Sequence, residues 1–321
     1  MCKLEKPTKA SPNSSTLDDG RPLIKDLLKE HATSIEKVRQ KILSDEAVGK
    51  ALWDPKKYDD IWILRYVLSH GGNTKHASKA ALKTMKFREE FKMNEKGDLR
   101  GFIKNYGVEE NSNDKTLQSL PSYDLFNAYC GKNAVIIAHP DPGRGALVYC
   151  DFGMVDCDGI VAGMTFEEYK DSYVHLNEAI YQINDEVTRR TGKLTKLTRF
   201  IELKNFSFLK FNRKYLKMDA AMQKETEEHY PQLLQTAYIF NLPSWLSAMW
   251  TVVTAFFPKR MIEKINVCPS SASTKFFEPI RKQVTEENHL ALYGGKNTEW
   301  PPPSIAETMA AAAAAAAAAA N

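Results

Sequence analysis

The chain has 321 residues, of which 43% are hydrophobic and 26% charged, with a formal net charge of +4. That balance excludes a disordered chain and a strongly basic nucleic-acid binder, and it leaves room for a core and for a local basic patch. The five cysteines, Cys2, Cys130, Cys150, Cys157 and Cys268, are scattered without a CxxC, which points to reduced structural thiols rather than to a zinc site.

In chain order, residues 1–20 are polar and rich in Ser, Pro and Thr, have no apolar core of a secretory signal, and read as disordered. From Pro22, Leu23, Leu27, Ile35, Val38 and Ile42 recur near the helical repeat. "YDDIWILRYVLSHGG" reads as a short helix stopped at Gly71–Gly72, and "NTKHASKAALKTMKFREEF" as a helix N-capped by Asn73. Residues 22–106 are therefore expected to form a bundle of short helices, followed by the polar linker "GVEENSNDKT".

Beyond the linker the periodicity changes. "AVIIAH" (134–139) and "ALVYCDF" (146–152) read as strands, and Thr165 with Glu168 spells a capping box. Phe166, Tyr169, Tyr173, Leu176, Ile180, Ile183 and Val187 then form one apolar helical stripe. "LTRFIELKNF", "TAYIFNL" and "KINVCP" read as strands, "YLKMDAAMQKETEEHY" as a helix, and "STKFFEPIRKQVTEENHLALYGG" as a closing helix kinked at Pro279. Strands alternating with helices predict an α/β lobe with a largely parallel sheet. "WPPPSIAETM" and eleven alanines make a tail.

Several motifs are weaker than they look. "DFG" at Asp151–Gly153 lacks the other kinase signatures, and "VDCDGIV" has Ile160 where haloacid-dehalogenase-type phosphatases carry threonine. A polar turn is the stronger reading of Asp156 and Asp158. His175 is read as a partly exposed helix residue in preference to a metal or haem ligand. The basic clusters "RRTGKLTKLTR" and "LKFNRKYLK" suit solvated loops at least as well as a membrane patch.

The segment from His229 to Pro258 contains no Asp, Glu, Lys or Arg. Its helical part, between Pro243 and Pro258, would be about 21 Å long, short of the ~30 Å hydrocarbon core. Ser244, Ser247, Thr251 and Thr254 lie on one face, Trp245, Met249, Val252 and Phe256 on a second, and Leu246, Trp250, Val253 and Phe257 on a third. A sheet covers about one of the two apolar faces. A fully buried core helix and a helix closing an apolar cavity that also touches lipid both fit. Lys259, Arg260 and Lys264 just beyond it suit an anionic surface.

"HYPQLLQTAYIFNLPSWLSAMWTVVTAFFPKRMIEKINV" resembles the signature of the CRAL-TRIO (Sec14-like) lipid-binding family. "ALVYCDFGMVD", "RFIELKNFSF", "NHLALYGG" and "YDDIWILRYVLSHGGNTKHASKAALKTMKFREEF" resemble further family motifs, in the family order, over roughly residues 50–296. Between the disordered start (1–20) and the Pro/Ala-rich tail (297–321) that composition marks, the resemblance implies a helical N-terminal lobe and linker (21–115) and a lipid-binding lobe (116–296). It implies a mixed, mostly parallel five-stranded sheet, an apolar pocket and a mobile gate helix starting at Pro243. Gate and pocket candidates are Trp245, Met249, Trp250, Val253, Phe256, Phe257, Arg199, Ile201, Tyr173 and Tyr149, and membrane-contact candidates are Trp250, Phe257, Lys259 and Arg260.

The chain departs from phosphatidylinositol-transferring relatives, which carry basic residues on the gate and an Arg-Lys pair where this sequence has Ser69–His70–Gly71. Strand positions that hold phosphocholine in some relatives fall at Leu197 and Arg199. In the family register Arg199, Ile201 and Leu203 face the pocket, and a one-residue slip would turn Arg199 outward. The expected protein is a cytoplasmic, peripheral monomer without catalysis, cofactor, metal or nucleic-acid partner. It carries a phospholipid or another hydrophobic ligand (a sterol, a tocopherol-like compound or haem) and meets an anionic membrane surface. A non-transferring interaction module stays open beside it.

Overall fold

A computed structural model describes residues 20–93, 143–204, 206–257 and 259–268, with short pieces at 125, 128–129, 135–138, 280, 284–287 and 296. The polar start, the 107–116 linker, most of the closing segment and the alanine tail lie outside the described residues, as do the domain boundaries expected near 115 and 297.

The N-terminal part is helical, as its periodicity predicts: α1 (Ile24–Leu43), α2 (Gly49–Leu52), α3 (Asp60–Ser69) and α4 (Thr74–Glu90). Ile35, Val38 and Ile42 of α1 are buried against Trp62, Ile63, Tyr66 and Val67 of α3 and Ala77, Ala81 and Met85 of α4. Asp59 caps α3 through the Trp62 N–H, and Asn73 caps α4 by accepting from the Lys75 and His76 N–H groups. Gly71 and Gly72 both have positive φ, at 56° and 80°, so the turn between these helices uses the region that side chains disfavour.

The second lobe is an α/β layer. Its strands are β1 (Val135–Ala138), β2 (Leu147–Asp151), β3 (Leu197–Glu202), β4 (Leu234–Phe240) and β5 (Ile265–Val267). They pair in sequence order; β1 is antiparallel to β2 and the other pairs are parallel. The mixed, mostly parallel five-stranded sheet read from the sequence is therefore present.

Helices α5 (Cys157–Gly163), α6 (Phe166–Thr191) and α7 (Arg213–His229) fill the crossovers. The capping box at Thr165 and Glu168 forms as expected. Asp156 caps α5 through the Gly159 N–H, and Asp151 bonds the Gly153 N–H, so both "VDCDG" and "DFG" are turns that start helical segments.

Helix α6 is buried on more than its apolar stripe. Asn177, Glu178, Asn184 and Asp185 are within its buried set, and His175 is only 3% exposed, which corrects the reading of a partly exposed histidine. The reason is position: α6 is packed between the sheet and the helical lobe. Its Asp185 takes the buried Arg65 of α3, with Thr188 as a second acceptor at 3.0 Å, and its Glu178 takes Arg88 of α4 at 2.7 Å.

Candidate functional site

Strand alternation sends the two faces of the sheet to different neighbours. Leu147, Tyr149, Phe200, Tyr238 and Phe240 pack on one face with Cys268, Ile280 and Val284. Val148, Cys150, Arg199, Ile201 and Ile239 face the other way and floor a cavity of ≈ 200 Å³. This exceeds the ~150 Å³ of an engineered core cavity that admits benzene.

The cavity walls come from α6, through Tyr169, Tyr173 and Ile180, and from α7, through Tyr215, Asp219 and Gln223. The charge-free segment closes it. The expected single gate helix is two short ones, α8 (Ser244–Ala248) and α9 (Trp250–Thr254), separated at Met249, and α10 (Lys259–Ile262) follows. Leu246, Trp250, Val253 and Phe257 all line the cavity. These four are the third face drawn from the sequence, so one apolar face of the segment turns inward despite the break.

The entry to α8 is fixed by a bond at the strand ends. Asn241 has φ 54°, a left-handed conformation that Asn tolerates, and its Nδ2 donates to both carboxylate oxygens of Glu202 at 2.9 Å. These bonds hold the start of α8 against the end of β3.

The candidate residues divide as follows. Arg199, Ile201, Tyr173, Trp250, Val253 and Phe257 are brought together around the cavity. Tyr149 is not: it lies on the opposite sheet face, its ring stacked 4.9 Å from Phe200. With Val148 and Cys150 facing the cavity, the residue between them must point away, which corrects its assignment to the pocket. Trp245 packs beside the cavity rather than on its lining, against Phe206, Phe208 and Phe211 at 5.4–5.7 Å. Met249 sits at the helix break and Phe256 is half-buried, and neither lines the cavity. Trp250 and Phe257 line the cavity and stay half-buried, and Val252, 53% exposed, is the large apolar side chain that α9 turns outward.

Lys259 is 91% exposed, as a surface contact requires. Arg260 is engaged: its Nε lies 3.1 Å from Glu227 of α7, and its Nη1 donates to the Ser69 carbonyl at 2.8 Å.

A polar island interrupts the apolar lining. Arg199 sits between Val148 and Ala237 in the sheet register, hydrogen-bonds Tyr173, and has its Nε buried with no partner among the described residues. Asp219 opposite accepts from the Tyr169 hydroxyl at 2.9 Å and from Gln223. Burial pushes the Asp219 carboxyl above its ordinary range, against the opposing effects of Tyr169, Arg199 and Gln223. Gln223 also donates to the Tyr173 hydroxyl, which ties the two halves of the island together. Burial likewise pushes the Cys150 thiol, on the floor, up to about 12.

Asp219 and Gln223 were missed from the sequence. They lie four residues apart on the inner face of α7, among ordinary surface-helix residues, and only the packing of α7 over the cavity marks them.

This arrangement can enclose an apolar chain and offer it one polar contact zone. The family model of the CRAL/TRIO domain matches residues 131–295. The phosphatidylinositol/phosphatidylcholine transfer protein SFH12 of Arabidopsis thaliana is 20% identical over 262 residues, 80% of this chain and 43% of that protein. The chain thus spans less than half the length of that relative. Among solved structures, the crystal structure of Sfh5 is similar with a TM-score of 0.56 at 13% identity, over 84% of this chain and 88% of that one. No helix among the described residues is long and apolar enough to cross a membrane.

Proposed function

The chain belongs to the CRAL/TRIO family, and on that premise we propose that it holds one phospholipid or similar amphiphile, tail in the cavity, and exchanges it at a membrane surface. The carrying observation is the inward face of the broken gate, Leu246, Trp250, Val253 and Phe257, set over the apolar floor. Shielding a tail there offsets its exposure to water by about 0.8 kcal/mol per methylene. The proposed activity is binding and transfer, not catalysis.

Tyr173, Arg199, Ile201, Trp250, Val253 and Phe257 contact the ligand in this reading. Arg199 takes an oxygen of the ligand's polar group, a phosphate or carboxylate, because a buried guanidinium with an unused N–H is costly until it is bonded. Lys259, and Arg260 once released, meet anionic headgroups. Residues 116–296 form the ligand-binding domain, and 21–115 brace it through the Arg65–Asp185 and Arg88–Glu178 pairs.

Native mass spectrometry of the purified chain, paired with a vesicle-to-vesicle transfer assay, tests the proposal. A co-purifying phospholipid that exchanges between vesicles is the expected result. A sterol, a pigment or haem would assign a different cargo, and a compact protein that is empty and stays empty with every vesicle would overturn the reading.

A further inference from the structure

The loop between β3 and α7 turns apolar side chains both ways. Phe206 and Phe211 line the cavity. Between them, on the 3₁₀ turn Phe208–Lys210, Phe208 is 61% exposed and Leu209 88% exposed, the two highest values among the large hydrophobic residues that the described surface exposes. The pair is the most exposed large apolar point of the described surface.

Charge identifies its occupant. Residues 204–217, "KNFSFLKFNRKYLK", contain Lys204, Lys210, Arg213, Lys214 and Lys217 and no acidic residue. Lys204, Arg213, Lys214 and Lys217 are all exposed, and none of them makes an ion pair among the described residues. Lys210 donates to the Gly153 carbonyl, which pins the base of the turn, and Asn212 donates to Asp158 at 2.6 Å. An apolar tip flanked in sequence by exposed cations that make no ion pair among the described residues complements a bilayer surface bearing anionic lipid, where side chains of this kind enter the acyl boundary and cations sit at the headgroups.

The tip is also coupled to the gate. The Phe208 ring meets Trp245, the second residue of α8, edge-on at 5.4 Å, and Trp245 in turn contacts Phe206 and Phe211 on the cavity wall.

We propose that Phe208 and Leu209 form a membrane-docking tip for anionic bilayers, set against the start of the gate so that docking and gate movement share the Phe208–Trp245 contact. The proposal rests on the transfer reading for its purpose, but the docking surface is tested separately from it.

The test uses the full chain, co-sedimented with vesicles of phosphatidylcholine alone and of an equimolar phosphatidylcholine–phosphatidylserine mixture. Leu209→Asp should lower binding to the mixed vesicles about tenfold, since it removes an inserting side chain and adds like charge to the surface. Its melting temperature and its ligand occupancy by native mass spectrometry should stay as in the wild type, because Leu209 is exposed. Lys214→Glu should reduce the preference for phosphatidylserine and its salt sensitivity, the attraction being screened over about 8 Å at physiological ionic strength. Wild-type binding by both variants would overturn the proposal even with a lipid in the cavity. So would a concentration-dependent dimer of the wild type that Leu209→Asp abolishes, which assigns the tip to a second copy. An empty cavity in a chain whose vesicle binding depends on Leu209 would instead overturn the transfer reading alone.

Discussion

Arg260 donates from Nη1 to the backbone carbonyl of Ser69 at 2.8 Å, across 191 positions of sequence. Ser69 is the last residue of α3, where helix carbonyls lack partners and the dipole favours a cation. The same guanidinium pairs with Glu227 of α7. One side chain at the far end of the gate thus fastens it to both lobes. Arg260 is about half exposed, which keeps the contribution near 1 kcal/mol and leaves it sensitive to salt. Arg260→Ala is expected to raise the release rate of a fluorescent phospholipid about fivefold, and to speed amide hydrogen exchange over 244–267. Release at the wild-type rate would remove the latch from the account.

The sequence carries the order of helices and strands because apolar periodicity and caps are local signals. Asn73 and the Thr165–Glu168 box show this at residue level. The inward gate face was legible for the same reason. The side to which Tyr149 points was not, because a strand buried on both faces has no polar alternation to mark one of them. The gate break at Met249 has neither Gly nor Pro to announce it. His175 and Asp185 look like surface residues of a helix, and only α6's place between two layers buries them. The Phe208–Leu209 tip fell within a basic cluster that reads equally well as solvated loop. Its exposure is a property of the folded chain.

Asp185 is 5% exposed and shared by two arginines, Arg65 at 3.4 Å and Arg189 at 2.7 Å, the second of which also bonds Asp59. Removing the carboxylate leaves the buried Arg65 guanidinium with Thr188 as its hydroxyl acceptor. Loss of one partner from a buried pair costs about 3–5 kcal/mol. Asp185→Ala should lower the chemical-denaturation stability by that amount, whereas Asp60→Ala, on an exposed pair with Arg39, should cost less than about 1 kcal/mol. Equal effects from the two substitutions would deny the buried pair its role in joining the lobes.

His229 stacks on Phe87 at 4.0 Å with an interplanar angle of 8°, and burial first, then Lys83 and Lys170, depresses its pKa to about 4 against the pull of Glu228. In the unfolded chain the imidazole takes a proton near 6.5, and in the folded chain it stays neutral down to about 4. The unfolded state therefore binds more protons across that window, and this contribution to stability, complete above pH 6.5, is lost as pH falls towards 4. The loss is about 3 kcal/mol. His229→Phe keeps the stack and should flatten the dependence over that range relative to the wild type, as read by urea midpoints. Parallel curves for the two proteins would show that His229 binds protons alike in the folded and unfolded chain.

Arg199 faces the cavity, as strand alternation from Leu203 back through Ile201 requires. No described carboxylate lies within ion-pair distance of it, so a plain internal salt bridge does not account for the charge. It has Tyr173 as a hydrogen-bond partner, Asp219 as an electrostatic neighbour, and a buried Nε with an unused donor. On the proposed reading, a ligand oxygen would supply what that donor lacks. Arg199→Leu should then cut retention of lipids with anionic polar groups about tenfold, within the range measured when one partner of a charged hydrogen bond is lost. Folding should be intact or slightly more stable, because the raised pKa of Asp219 allows that carboxyl to take a proton once its cationic neighbour is gone. Asp219→Asn separates the island's two halves: it removes the negative charge, keeps an acceptor for Tyr169, and should leave or increase the anionic share of bound lipid. Mass spectrometry of the lipids extracted from wild type and both variants decides the matter. Identical profiles, or a destabilised Arg199→Leu chain with an unchanged profile, would reduce Arg199 to a structural member of the Tyr173–Asp219–Gln223 network.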